Sequence, residues 1–222
     1  MHRGSHPPQC LLLLVVLAGT FVVAPPPLAR GAPRVEAPYR ILAGPFLKKA
    51  RQDAGVTTSS FNLKGVTISV EFLEPTARAA FVRTIAPAAQ DPFAVPPGQP
   101  ENYHAVRVGF DNGSAADVVF QAGNVVVYTD GKTQEFGIDL TDLYRVAAEA
   151  GADDPQAMIN RVAPLLYDSS TTIPKGRKME RLLLFGPLQG KWREIQMIFS
   201  FLQIGAETHT VSFTFHKQVS KG

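Results

Sequence analysis

The sequence predicts an all-β fold, an antiparallel β-sandwich that carries a two-helix insertion. Apolar and polar residues alternate in several segments, as in Val66–Phe72 and Val211–Phe215, and a period of two is typical of half-buried strands. Turn sequences separate these segments. The helical patterns form one block at residues 139–166. Because helices do not alternate with strands, a parallel α/β sheet is disfavoured, and we expect a sandwich of about seven strands.

The first strand pattern begins after Gly65 and is followed by a short predicted helix at Thr76–Ile85. Residues 86–99 are rich in Pro and Ala and are predicted to form a loop. Short strand signals then follow closely along the chain. They are Val106–Phe110, Val118–Phe120, Asn124–Tyr128 and Glu135–Gly137.

The strongest turn signal is Thr129-Asp130-Gly131-Lys132. An Asp-Gly pair tolerates the positive φ angles of a type I′ turn, which joins two antiparallel strands through two residues. The sequence therefore predicts a hairpin at Asp130-Gly131.

The insertion is predicted to contain two helices. Apolar residues recur at helical spacing from Leu140 to Ala147, with Asp139 or Thr141 as the N-cap. The second helix begins at Asp154, followed by proline at the first helical position. The block either covers an open edge of the sheet or presents its apolar side chains to a partner or an apolar ligand.

Six residues form the interaction surface that the sequence predicts. Four lie on the two helices, and two, a tryptophan and an arginine, follow a glycine-rich turn and belong to residue types that are frequent in binding hot spots. The six are Leu143, Tyr144, Met158, Ile159, Trp192 and Arg193.

Three strands are predicted in the last quarter of the chain. Leu182–Phe185 is a continuous apolar run, which is typical of a strand buried on both faces. Ile195, Met197, Phe199 and Phe201 share one parity and are expected to face the core together. Val211–Phe215 forms the closing strand.

The first 31 residues have the pattern of a secretory signal peptide. Arg3 precedes the apolar run Leu11–Ala24, and small residues at Ala29 and Gly31 define a cleavage point. The run is shorter than the roughly 20 residues of a membrane-spanning helix. The expected cut after Gly31 leaves a periplasmic or secreted protein, with a retained signal anchor as the alternative.

The mature chain is expected to start with a poorly ordered leader at residues 32–60, which contains Pro33, Pro38 and Pro45, with a short docking element at Ile41–Phe46. The folded domain is predicted at residues 61–218. Removal of the signal also removes Cys10, which is the only cysteine, so neither a disulfide nor a thiolate metal site is expected.

Charge and motifs exclude several classes of function. Loss of Arg3 and Arg30 leaves 20 basic and 19 acidic residues, a net charge of +1, which does not suggest a nucleic-acid partner. The motifs of serine hydrolases, zinc proteases and phosphate-binding loops are missing from the sequence. The histidines at 209 and 216 have opposite strand parity and are not expected to share a metal. We therefore expect no cofactor, no metal and no catalytic residue.

The order of the motifs resembles the immunoglobulin-like β-sandwich of uncharacterised bacterial envelope proteins and lipoproteins. The resemblance covers roughly residues 62–217. It implies the fold and an envelope location and supplies no catalytic residue. The residues that carry it are Val106–Ser114, Asn124–Tyr128, Asp130–Lys132, Ile173–Gly176, Leu183–Phe185 and Val211–Phe215.

Three functions follow from these expectations. The first is a non-catalytic envelope module that binds or scaffolds another protein. The second is a carrier of an apolar ligand or lipid in a cavity between sheet and helices. The third is a hydrolase, which would need a titratable pair and an oxyanion donor in one cleft.

Overall fold

The computed structural model describes residues 39–46, 55–96, 99, 101–149, 153–188 and 190–219. The predicted signal peptide, its cleavage point and Cys10 lie outside these residues. Eleven strands and three α-helices are formed within them. Their bounds are Tyr39–Ala43 (β1), Thr58–Leu63 (β2), Val66–Leu73 (β3), Pro75–Ile85 (α1), His104–Asn112 (β4), Val118–Phe120 (β5), Val125–Thr129 (β6), Thr133–Phe136 (β7), Leu140–Glu149 (α2), Pro155–Val162 (α3), Thr171–Ile173 (β8), Lys178–Phe185 (β9), Glu194–Ile204 (β10) and Glu207–Val219 (β11).

The strands form two antiparallel sheets, which confirms the predicted all-β sandwich. Sheet A has seven strands in the order β1-β11-β10-β5-β8, and the hairpin β6-β7 joins it through β10. Sheet B has four strands in the order β2-β3-β4-β9. Eleven described strands exceed the seven or so expected, because β1, β2 and β8, for which no strand was expected, also pair into the two sheets.

The main core lies between the two sheets. Inward residues of β3 and β4 from sheet B meet inward residues of β10 and β11 from sheet A. The side chains of Ile68, Val108, Phe199 and Phe215 are almost fully buried there. Phe120 lies near the middle of this core, with its ring centroid 4.9 Å from that of Tyr167. Burial of this apolar surface is the main contribution to the stability of a domain of this size.

A second apolar cluster lies on the opposite face of sheet B, under the helices. Side chains of α1, α2 and α3 pack there against Ala105, Leu182 and Leu184. Strand β9 is therefore covered on both faces from Leu182 to Phe185, as its unbroken apolar sequence predicts. The two-helix insertion is confirmed at α2 and α3.

Both helices of the insertion begin at an aspartate cap. Asp139 accepts hydrogen bonds from the backbone nitrogens of Thr141 and Asp142 through Oδ1, at 2.8 and 2.9 Å, so Asp139 and not Thr141 caps α2. Asp154 accepts one from Ala157 N at 2.8 Å. These bonds satisfy N–H groups that have no partner within the helix.

The expectation that Phe201 faces the core is wrong, because β10 contains a β-bulge. Phe199 pairs with Val211 and Leu202 with His209, so two residues of β10 oppose one of β11. The extra residue reverses the side-chain parity along the strand. Leu202 is buried in place of Phe201, which has a φ of 60° and is 60% exposed.

The expected leader is also corrected where the structure describes it. Strand β1 pairs with β11, and β2 pairs with β3, so both belong to the sandwich although both begin before residue 61. The docking element expected at Ile41–Phe46 overlaps β1. Neither strand has a long alternating pattern, and pairing with a longer neighbour fixes each of them.

Candidate binding surface

The helical insertion buries one of the four apolar side chains that the sequence assigned to a partner and half-buries two others. Leu143 is 4% exposed and belongs to the cluster under the helices, and Ile159 packs against that cluster. Met158 is half-buried. Tyr144 alone of these four is exposed, at 44%. The correction for Leu143 has a simple reason: sheet B supplies an apolar face on which the helix packs.

The connections to and from the insertion also cover an edge of sheet B. Ile138 N donates a hydrogen bond to Leu184 O at 2.8 Å, and Tyr167 N donates one to Leu182 O at 3.1 Å. These bonds occupy the outer edge of β9. Of the two alternatives left open by the sequence, the covering of a sheet edge is the one that these contacts support.

Trp192 is a core residue, which corrects its predicted place on an exposed surface. It is 4% exposed, and its ring is perpendicular to that of Tyr39 with centroids 5.6 Å apart. The Lys217 ammonium lies 4.0 Å from the Tyr39 centroid and 4.7 Å from the Trp192 centroid. Such cation–π contacts stabilise the packing of β1 on β11.

Arg193 is exposed, as predicted, but its neighbours are residues of this chain. Its guanidinium carbon lies 5.9 Å from the ring centroid of Phe46. Its backbone nitrogen donates to the carboxylate of Asp130, at 3.0 Å from Oδ1. The six predicted residues are therefore not brought together on one surface. Leu143 and Trp192 lie in different apolar clusters. Tyr144, Met158 and Ile159 lie on the helices, and Arg193 immediately precedes β10.

A different apolar surface lies on the solvent side of sheet A. Val126 is directly opposite Phe136 on β7 and directly opposite Ile198 on β10. Side chains opposite each other in antiparallel strands lie on the same face. Phe136 is 55% exposed, and Val126 and Ile198 are half-buried. We call the row Phe136–Val126–Ile198, together with Phe201, the outer patch.

Phe201 brings a strained residue to this face. A φ of 60° is rare for a bulky residue, and the left-handed conformation costs about 1–2 kcal/mol. The bulge lies where the neighbour of β10 changes from β6, whose last partner is Phe199, to β5, whose partners begin at Gln203. A strained backbone that exposes an aromatic ring is an observation from which a functional hypothesis can start.

The described part of the chain places no group of three or more His, Cys, Asp or Glu side chains where they could hold a metal ion. His209 and His216 both lie on β11 at opposite parity. His216 Nδ1 is 2.9 Å from Gly44 O, and His209 Nε2 is 3.7 Å from Glu207 Oε2. Within the described residues, no helix has both the length and the apolar character needed to cross a bilayer.

The buried charges belong to a structural cluster beside α1. Arg78 is 1% exposed and donates to Asp91 and Glu101, both at 2.7 Å, and to Phe93 O at 3.0 Å. Burial lowers the pKa of Arg78, but the hydrogen bonds to Glu101 and Asp91 outweigh it and the pKa is raised. All three groups contacted by the guanidinium lie in the segment between α1 and β4. The cluster therefore attaches this segment to α1.

His104, at the start of β4, lies near this cluster. Burial lowers its pKa, the carboxylate of Glu101 opposes that effect, and the positive charge of Lys217 adds to it. His104 is therefore favoured in its neutral form, which suits a buried position.

Sequence reasoning missed the outer patch for two reasons. Val125–Val126–Val127 is an unbroken apolar run, which indicates burial but not which side chain faces outward. Phe201 has the parity of the core residues of β10, and no sequence signal marks the bulge. The exposed aromatic residue at the end of the returning strand, Phe136, was the one signal available.

Comparisons with known proteins give no family for this chain. No family model, no curated protein and no solved structure matches it.

Proposed function

We propose that this chain is an exported, non-catalytic binding module of the cell envelope that contacts another protein through the outer patch. The single observation that supports this most directly is the exposure of Phe136 and Phe201 on the solvent side of sheet A. Exposed apolar residues that are grouped on one face are typical of protein contact sites.

The export part of the proposal comes from the sequence. The basic residue before Leu11–Ala24 and the small residues at Ala29 and Gly31 are the pattern that directs a chain across a membrane. The predicted mature protein is thus periplasmic or secreted.

The chemistry of the outer patch favours a protein partner. Its members are hydrocarbon side chains, and polar residues continue the same rows: Ser212 lies opposite Ile198, and Gln196 lies beside it along β10. An apolar centre with a polar rim is the usual composition of a protein interface. Aromatic residues such as Phe136 and Phe201 contribute strongly to such interfaces when a partner covers them.

Affinity capture from an envelope extract of the source organism tests the proposal. Three baits are compared: the wild-type chain, the double variant Phe136→Asp/Phe201→Asp, and the control Tyr144→Asp. Tyr144 is also an exposed aromatic residue, but it lies on α2 beside sheet B. Mass spectrometry of both proteins and lipids identifies what each bait retains.

The proposal predicts one protein in constant ratio to the wild-type bait and to the Tyr144→Asp bait, and its loss from the double variant. Equal recovery by all three baits contradicts a role for the outer patch. Recovery of one lipid and no protein contradicts the protein partner and favours the carrier alternative. Far-UV circular dichroism of the three baits establishes that each is folded.

A further inference from the structure

Among the residues that the structure describes, four of the five sheet edges are short, charged or already bonded. In sheet B, backbone bonds from Ile138 and Tyr167 cover β9. In sheet A, Ala43 N of β1 donates to Val56 O at 2.8 Å, and β8 has three residues and ends before Pro174. Strand β7 has four residues and includes Glu135. These are common ways in which proteins keep strand edges from pairing with other chains.

Strand β2 differs from the other edges. It has six residues, Thr58–Leu63, with the sequence TSSFNL, which contains neither a charged residue nor proline. It pairs with β3 on one side, and no strand of the described chain pairs with it on the other. Its backbone can therefore accept a further strand, which is a recurrent mode of association between proteins.

Phe61, near the middle of β2, strengthens this point. It lies directly opposite Ile68, whose side chain is fully buried in the core between the sheets. Phe61 therefore faces the core side of sheet B, yet it is 47% exposed. A strand added next to β2 would bring its own side chains against this ring.

We propose that the added strand is β2 of a second copy of this chain, so that two copies form an antiparallel dimer. Opposite residues must lie on the same face, which restricts the registers to those that pair residues of equal parity. Placing Phe61 opposite Phe61 sets the two half-exposed rings against each other on the twofold axis. Sheet B then extends from four strands to eight.

The absence of charged residues from β2 favours a second copy over a charged foreign strand. In this register Ser60 lies opposite Asn62 and Ser59 opposite Leu63, so that only neutral residues meet. Lys64, which follows the strand and pairs with Glu207, lies opposite Thr58 of the other copy. No like charges face each other, and β2 has no charge with which to select an oppositely charged partner. The short strands bury a small area, so the dimer is expected to dissociate on dilution.

Sedimentation of the full-length chain over a range of concentrations tests the dimer. The mass is expected to double between micromolar and submillimolar protein. Phe61→Lys and Phe61→Glu each place like charges opposite each other on the axis and are expected to weaken association about tenfold or more. A one-to-one mixture of these two variants is expected to restore it. Tyr144→Lys, which alters an exposed aromatic residue of α2, serves as the matched control and keeps the dimer.

Three results would overturn the proposal. A wild-type chain that remains monomeric at submillimolar concentration leaves the β2 edge to a strand of another protein. A Phe61→Lys variant that dimerises like the wild type places the contact elsewhere, as does a dimer lost in Tyr144→Lys. The inference does not rest on the outer patch, since no variant of the outer patch is used to test it.

Discussion

Arg78 places a guanidinium inside the protein beside the loop that follows α1. Its partner Asp91 has a side chain that is 5% exposed, whereas Glu101 is 29% exposed. Desolvation of such charges is costly, so each depends on its partner for its place in the interior. The loop that holds both carboxylates is rich in proline and alanine and contributes few apolar contacts besides Phe93.

Arg78→Met is therefore expected to lower the free energy of unfolding by about 3–5 kcal/mol, because Asp91 remains buried without its cation. Urea unfolding followed by circular dichroism measures this change. Arg40→Met is the control, since Arg40 and Glu74 form a pair in which both side chains are about half exposed, and such pairs contribute about 1 kcal/mol or less. Equal losses in the two variants would contradict a buried ion pair.

Asn112 is the residue that joins two turns at the end of β4. It is fully buried, and its Nδ2 donates to Ala116 O at 2.9 Å and to Ile173 O at 3.0 Å. Its Oδ1 accepts from the backbone nitrogen of Ser114 at 3.1 Å. The sequence identifies Asn112-Gly113-Ser114 as a turn and a formal glycosylation sequon, and the burial shows that the amide is engaged within the fold.

Asn112→Asp is expected to destabilise the protein by about 2 kcal/mol or more, because a buried carboxylate would face two carbonyl oxygens that have lost their donor. Thermal unfolding measures the loss. Asn62→Asp, on the exposed strand β2, makes the same chemical change at a side chain in contact with solvent, and we expect it to shift stability by about 0.5 kcal/mol or less. A similar effect at both positions would argue against the assigned bonds.

His104 gives the stability a dependence on pH. Its pKa is lowered in the folded protein by burial, so the unfolded chain binds a proton at a higher pH than the folded chain does. Acid then favours the unfolded state, and stability is lost as pH falls through the ordinary histidine pKa of 6.5 toward the lowered value. Unfolding free energies measured between neutral and mildly acidic pH should decrease, and His104→Gln should reduce that slope. An unchanged slope in the variant would refute the assignment.

At the scale of the element, the hairpin of β6 and β7 was the most predictable feature. Asp130 and Gly131 both have positive φ, at 48° and 66°, as a type I′ turn requires. The side chain of Asp130 also accepts from the backbone nitrogen of Glu194 at 2.9 Å, which ties the turn to the start of β10. The type of turn can be predicted from two adjacent residues. The hydrogen bond to Glu194 cannot, because it depends on the pairing of β6 with β10, which are far apart in the sequence.

Gly131→Ala is expected to cost about 1 kcal/mol, since alanine is disfavoured at positive φ. Gly123→Ala is a closely matched control, because an added Cβ meets nothing within 4 Å at either glycine. Of these two glycines, only Gly131 has a positive φ. Chemical unfolding should show a loss at Gly131 and a neutral or slightly stabilising change at Gly123. Losses of equal size would mean that φ is not the cause.

Other elements show where sequence reasoning ends. The capped helices α2 and α3 and the long alternating strands β3 and β11 carry their own local signals. Strands β1 and β2 do not, and neither does the bulge in β10, because each is fixed by pairing with a strand that is remote in sequence. The outer patch could not be predicted for the same reason. The exposure of its side chains depends on the register of β6, β7 and β10, which no single segment of the sequence determines.

At the scale of the whole molecule, the described residues form a two-sheet sandwich with helices on one side. The helices cover part of the outer face of sheet B, whereas the outer patch lies on the solvent side of sheet A. We propose a separate role for each part of this arrangement. Sheet B and the helices stabilise the domain, and the outer patch binds another protein. The β2 edge joins two copies of the chain.

The most direct test of the binding account is a photo-crosslinking amino acid placed at position 136, at position 201 or, as a control, at Tyr144, in cells of the source organism. The account predicts that positions 136 and 201 crosslink to the same protein and that position 144 does not. Crosslinks to that protein from all three positions, or none from positions 136 and 201, would contradict the claim that the outer patch is the binding surface.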